Sequence, residues 1–230
     1  MTILLYDLCG ADDVRFSPYC WRVKLALARK GLPFEARPTP FTEIGTIAGG
    51  GHKTVPVIED GGQIVRDSFE IALYLEAAYP DRPTLFGGDG GKGMARFVEN
   101  WVKTEINPGL LRLIVVDVHE ALLPVDTDYF RQSREKRFGM PLEDIQAGRE
   151  ERLSDVRAAL EPVRHTLAQQ PYLSGSEALF ADYILFGSLQ WARATSPFQI
   201  LADDDPVTGW FERCLDLFDG LGRAQPAKAA

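Results

Sequence analysis

Histidine, cysteine and methionine are scarce, at three each in 230 residues. The histidines, His52, His119 and His165, form no HExxH, and Cys9, Cys20 and Cys214 form no CxxC pair, so neither a structural nor a catalytic metal is expected. Three scattered cysteines are no disulfide framework and suit a reducing compartment. GxxxxGK[ST] does not occur, and the Gly-rich stretches at 49–51 and 87–93 lack the strand–glycine–helix order of a dinucleotide-binding turn, which argues against dinucleotide or ATP chemistry. No apolar run exceeds five residues (Ile71 to Leu75), too short to cross a membrane as a helix. MTILLYDLCGADD lacks the basic start and long apolar stretch of a signal peptide. Positive charge is in deficit, 25 Lys and Arg against 33 acids for a net −8, so no nucleic-acid or anionic-membrane partner is expected. What remains is an ordinary globular composition, 45% hydrophobic and 25% charged. It suits a soluble cytoplasmic protein that handles small molecules.

The pattern along the chain changes once. Ile3 to Tyr6 reads as a buried strand, and Ser17-Pro18 places an N-cap before a proline at the first helical position. Cys20, Val23 and Leu27 then recur at helical spacing until Gly31, and Pro33 to Arg37 suits a second strand. Val55-Pro56-Val57-Ile58 and Gln63-Ile64-Val65 flank Glu59-Asp60-Gly61-Gly62, a hairpin signal in which Pro56 either starts a strand or follows a cis bond. Asp67-Ser68-Phe69-Glu70 reads as a capping box opening a helix that Pro80 ends. Residues 81–93, DRPTLFGGDGGKG, read as a linker.

Beyond it the periodicity is helical. Leu110 to Val118 is ambiguous alone but reads as helix among helical neighbours. Leu153, Val156, Leu160, Val163 and Leu167 mark a helix that Pro162 bends. Leu179 to Ala194, apolar nearly all round, predicts a buried central helix. Val207, Trp210, Phe211, Cys214, Leu215 and Phe218 form a further stripe. The expected domains are an α/β unit over 1–80, a linker over 81–93, an all-helical unit over 94–222 and a disordered tail over 223–230.

Phe16-Ser17-Pro18-Tyr19-Cys20 sits where a loop meets a helix N-terminus, which offers free N–H groups and partial positive charge to an anion such as a thiolate. Ser17 either donates its hydroxyl to such a sulfur or simply caps the helix. Strand, Ser17-Pro-Tyr-Cys20, Thr54-Val55-Pro56-Val57-Ile58 and Asp67-Ser68, in that order, resemble the thioredoxin-like domain of cytosolic glutathione transferases. The helical remainder is similar to that family's C-terminal domain. FSPYCWRVKLALARKGLPFE and FADYILFGSLQWARATSP…DDPVTGWFERCLDLFDGL resemble the branch of bacterial β-etherases and fungal-type transferases with a catalytic serine.

The resemblance implies that Ser17 is catalytic and that glutathione is the co-substrate. It also implies that Pro56 is the family's cis-proline and that the Val55 backbone pairs with the cysteinyl unit. Asp67 and Ser68 would take the γ-glutamyl amine and carboxylate, and Lys53 the glycyl carboxylate. Asp67 is shorter than the family's usual Glu or Gln. Cys20 reads as core, and a loop Cys9 beside the sulfur site is one further reading. A detoxifying homodimer acting on a small hydrophobic or aromatic electrophile is the expected function. The alternatives are β-aryl ether cleavage or a reductive reaction at the same site, and a non-catalytic glutathione-binding scaffold.

Overall fold

The computed structural model describes residues 2–229. Two lobes share one continuous apolar core. The first begins with β1 (Ile3–Leu8), α1 (Pro18–Arg29) and β2 (Phe34–Thr39). The hairpin β3 (Val57–Asp60) and β4 (Gln63–Arg66) and then α2 (Ser68–Ala78) complete it. The sheet order is β2-β1-β3-β4, with β1 parallel to β2 and the other pairings antiparallel. Pro38 lies on β2, at the sheet edge, where a missing donor costs no ladder bond on the open side. Pro56 answers to both sequence readings, since the Val55-Pro56 bond is cis and β3 begins at the next residue.

Helix α1 departs from a simple amphipathic stripe. Cys20 through Leu27 are all buried, Arg22 and Lys24 included, because the sheet covers one face and the second lobe the other. Lys24 is held by Asp7 of β1 at 2.6 Å, and Arg15 reaches the same carboxylate oxygen at 3.1 Å. A lone buried charge would be costly, and this pairing accounts for Lys24 and Asp7 inside the core.

The second lobe contains α3 (Asp89–Trp101), a π-helical turn (Val102–Ile106) and α4 (Asn107–Glu120). Then come α5 (Pro124–Phe138), α6 (Leu142–Gln146), α7 (Arg149–Ala159) and α8 (Glu161–Leu167). After them come α9 (Phe180–Thr195), α10 (Pro206–Leu215) and a single short turn, α11 (Leu217–Gly220). The Gly-rich end of the expected linker forms the first turn of α3. Gly91 suits that place because a Cβ there would lie 1.7 Å from the Phe86 carbonyl oxygen, a proximity that composition cannot reveal. Leu110 to Val118 is helical within α4. Pro162 separates two helices, α7 and α8, at Leu160.

Helix α9 is the central post, buried from Phe180 through Gln190. Its buried Asp182 accepts from the backbone N–H groups of Leu173, Ser174 and Leu179 and from Trp210 Nε1. Asp182 thus closes the helix start itself. Helix α1 rests on α9 so closely that a Cβ on Gly187 would fall 2.2 Å from the Pro18 carbonyl oxygen.

The expectation of a disordered 223–230 tail is corrected over its described part. Arg223 pairs with Asp216 and Glu212, and the Arg193 guanidinium donates to the Gln225 carbonyl at 2.7 Å. Gln225 Oε1 accepts from the Arg15 backbone N–H at 2.9 Å, and Lys228 N–H donates to the Arg193 carbonyl. Short polar residues carry no periodicity, so these long-range bonds left no mark in the sequence. No helix among the described residues is long and apolar enough to cross a membrane. No group of three or more His, Cys, Asp or Glu among them is placed to hold a metal.

Candidate active site

Two cavities meet between the lobes over the N-terminus of α1. The smaller, about 260 Å³, is bounded by Val55, Pro56, Asp67 and Ser68 from the first lobe and by Glu99 and Lys103 from the second. The larger, about 510 Å³, takes Ser17 and Lys53 into a wall that includes the aromatic side chains of Phe41, Tyr129 and Phe130. Tyr19, Thr54, Val55 and Lys103 border both. The six residues singled out in the sequence therefore lie around one continuous cleft, with Lys53 on the larger side.

The first turn of α1 leaves its donors in a particular state. Pro18 has no N–H, Cys20 N–H goes to Ser17 Oγ at 3.2 Å, and Trp21 N–H goes to the Ser17 carbonyl at 3.1 Å. Ser17 is both cap and candidate catalyst. Its oxygen is taken up as an acceptor, so its hydroxyl hydrogen remains available to a ligand atom in the larger cavity.

At α2, Asp67 holds the left-handed φ of 71°, unusual for a non-glycine residue and common at functional sites. Its Oδ1 caps the helix by accepting from Phe69 and Glu70 N–H at 2.8 and 3.2 Å. That bonding leaves Oδ2 for a cationic partner. Ser68, the first residue of α2, is buried, and its Oγ has no hydrogen-bond partner.

Sequence reasoning missed Arg22. It is fully buried, borders the smaller cavity and lies over the Tyr19 ring at 4.4 Å from the centroid. Its single ionic contact is Nη1 to Glu99 at 3.4 Å, and Nε and Nη2 have no partner. Burial pulls its pKa down, opposed by Tyr19, Glu99 and Asp67. One signal was present: a cation in the first two turns opposes the helix dipole, a placement that makes sense beside a bound anion. Glu99 and Lys103 were also missed, because the π-helical turn that carries Lys103 has no sequence period of its own.

The cysteines are outside the cleft. Cys20 is fully buried, with its Sγ donating to the Tyr6 carbonyl at 3.8 Å, and burial pushes its thiol far up. Cys9 is buried, its thiol raised by the same cause, and it borders neither cavity, which removes it from the sulfur site.

Family comparison agrees with this geometry. Residues 13–83 match the glutathione S-transferase N-terminal domain and residues 93–217 the C-terminal domain. A probable glutathione S-transferase from Oryza sativa subsp. japonica is 25% identical over 190 residues, 77% of this chain and 70% of the relative. Glutathione transferase GSTFuA2 from Phanerochaete chrysosporium superposes with a TM-score of 0.77 at 26% identity, covering 99% of this chain and 100% of the other. A Ceriporiopsis subvermispora glutathione S-transferase, solved in complex with glutathione, superposes over 100% of both chains with a TM-score of 0.84 at 23% identity.

Proposed function

The chain belongs to the glutathione S-transferase family, and we propose that it uses this cleft to activate the glutathione thiol against an aromatic electrophile. The supporting observation is the polarity of the smaller cavity. Ser68 Oγ and Arg22 Nη2 are buried polar atoms without partners, and a γ-glutamyl carboxylate would satisfy both. Asp67 Oδ2 would accept from the γ-glutamyl ammonium, and the backbone of Val55, beside the cis bond to Pro56, would pair with the cysteinyl unit. In the larger cavity Lys53 is free to meet the glycyl carboxylate.

The sulfur would then lie at the first turn of α1. Ser17 donates its free hydroxyl hydrogen, and the helix N-terminus adds partial positive charge, so the thiolate gains more than the thiol and its pKa falls. The thiolate attacks an electrophile held against Phe41, Tyr129 and Phe130, with proximity supplying most of the acceleration. An open 510 Å³ cavity beside Ser17 favours turnover over a scaffold role. A homodimer fits exposed Ile64 on β4 and exposed Met94 and Phe97 on α3, apolar side chains that a second copy would cover.

Calorimetry of glutathione into the protein is the direct test. Binding at millimolar ligand is expected, and its absence refutes the proposal. Ser17→Ala should move the pH–rate profile to higher pH, since losing a donor to the thiolate disfavours the charged form. An unchanged profile removes Ser17 from the mechanism.

A further inference from the structure

The larger cavity is positively charged in a protein whose net charge is −8. Lys53, Lys103, Arg112, Arg134 and Arg137 all border it, and no Asp or Glu does. Among the described residues, none of these five cations has a carboxylate within 4.0 Å, whereas Arg131 on the solvent side of the same helix α5 is paired with both Glu135 and Glu143. The contrast within one helix shows that acids are present nearby and are directed away from the cleft.

Arg134 is the most telling of the five. It is half-buried, and its guanidinium lies 4.3 Å from the Phe130 ring centroid and 5.4 Å from that of Phe41. Nη1 donates to Ser133 Oγ at 2.8 Å. A guanidinium stacked on aromatic rings presents its in-plane donors to whatever else lies against those rings. The wall position is fixed from the other lobe. Asp126, fully buried on α5, accepts from Phe41 N–H, Thr42 N–H and Thr42 Oγ1 at 2.7 to 2.9 Å and so clamps Phe41 against Phe130.

We propose that the second substrate is an aromatic electrophile carrying an anionic group, its ring against Phe41 and Phe130 and its anion on Arg134, with Arg112 and Arg137 as flanking cations. This rests on the transferase reading and adds a charge requirement to it. With 4-chloro-3-nitrobenzoate as probe, the glutathione sulfur bonds to the ring carbon bearing chlorine and chloride leaves with the bonding pair. The thiol proton has by then passed to solvent.

The test compares 4-chloro-3-nitrobenzoate with the neutral 4-chloro-3-nitrobenzamide on the full chain, each kcat/KM divided by its own uncatalysed rate constant. The carboxylate should be favoured about tenfold at low ionic strength, as one charge-assisted hydrogen bond would give. Arg134→Gln should bring that ratio towards one, and Arg134→Lys should restore part of it. Arg112→Gln, on α4, is an independent variant with a smaller shift in the same direction. A wild-type ratio at or below one overturns the charge requirement and leaves the transferase reading standing. No glutathione-dependent chloride release from either compound overturns it too, and glutathione calorimetry then decides whether the transferase reading falls with it.

Discussion

Replacing Gly187 by alanine tests whether the second lobe sets the position of Ser17, the proposed catalytic residue. The added Cβ would lie 2.2 Å from the Pro18 carbonyl oxygen, 3.1 Å from its carbon and 3.5 Å from Arg22 Cγ. Non-bonded heavy atoms settle at about 3.5 Å, so α1 and α9 must separate by roughly 1 Å. Both helices are buried at the contact, and the strain cannot be released into solvent. Overpacking of this kind costs about 1–3 kcal/mol. For a chain of this size that lowers Tm by roughly 2–12 °C. Pro18 directly follows Ser17, so the same displacement moves the hydroxyl, and a misplacement of ~1 Å can cost about 10²-fold in rate. Differential scanning calorimetry and kcat/KM for an aryl halide are the two measurements. Gly209→Ala is the control: it is exposed within α10 with only the Arg213 side chain nearby, and should gain up to about 1 kcal/mol from helix propensity. If Gly187→Ala leaves both Tm and kcat/KM at wild-type values, the proposed dependence of Ser17 on the α1–α9 contact is wrong.

Arg22→Met should weaken glutathione binding by roughly tenfold or more, the worth of one charged hydrogen bond, while leaving apo-protein Tm unchanged or higher because an under-paired buried cation is removed. Calorimetry with parallel melting curves separates the two, and tight binding by the variant would refute the assignment. Asp205 caps α10 through Val207 N–H and pairs with Arg164 at 2.8 Å; burial raises its pKa, but Arg164 and Val207 outweigh that and hold it below the usual carboxylate range. A depressed carboxylate stabilises the fold above its unfolded pKa of about 3.9, and the gain disappears as pH falls through the lower folded value. Asp205→Ala should therefore cost roughly 2–4 kcal/mol at neutral pH, and less at the acid end of a pH series of denaturant titrations. All three thiols are buried and raised by burial, so a thiol reagent should label the native protein slowly and the unfolded protein fully. Rapid labelling of one thiol in native protein would contradict the packing described.

What was readable in the chain was whatever a local signal encodes. Ser17-Pro18 and Asp67-Ser68 are caps with fixed chemistry, and a proline before a short apolar strand has few interpretations. The cleft's second half was not readable, because Arg22, Glu99 and Lys103 reach it only when α1 packs between the sheet and the helical lobe. Residues 90–93 show the same limit from the other side. Glycine is a poor helix former, yet the approach of Phe86 to Gly91 suits a residue without a side chain.

The Arg15–Gln225 bond spans 210 residues and braces the loop that delivers Ser17. A ribosome makes the amino-terminal lobe first, yet this brace waits until Gln225 has been made, as the seat on Gly187 waits for α9. A nascent lobe emerging alone can form its sheet and still hold its serine loosely. The lobe that carries Ser17 therefore depends on α9 and on Gln225 to hold the serine in place.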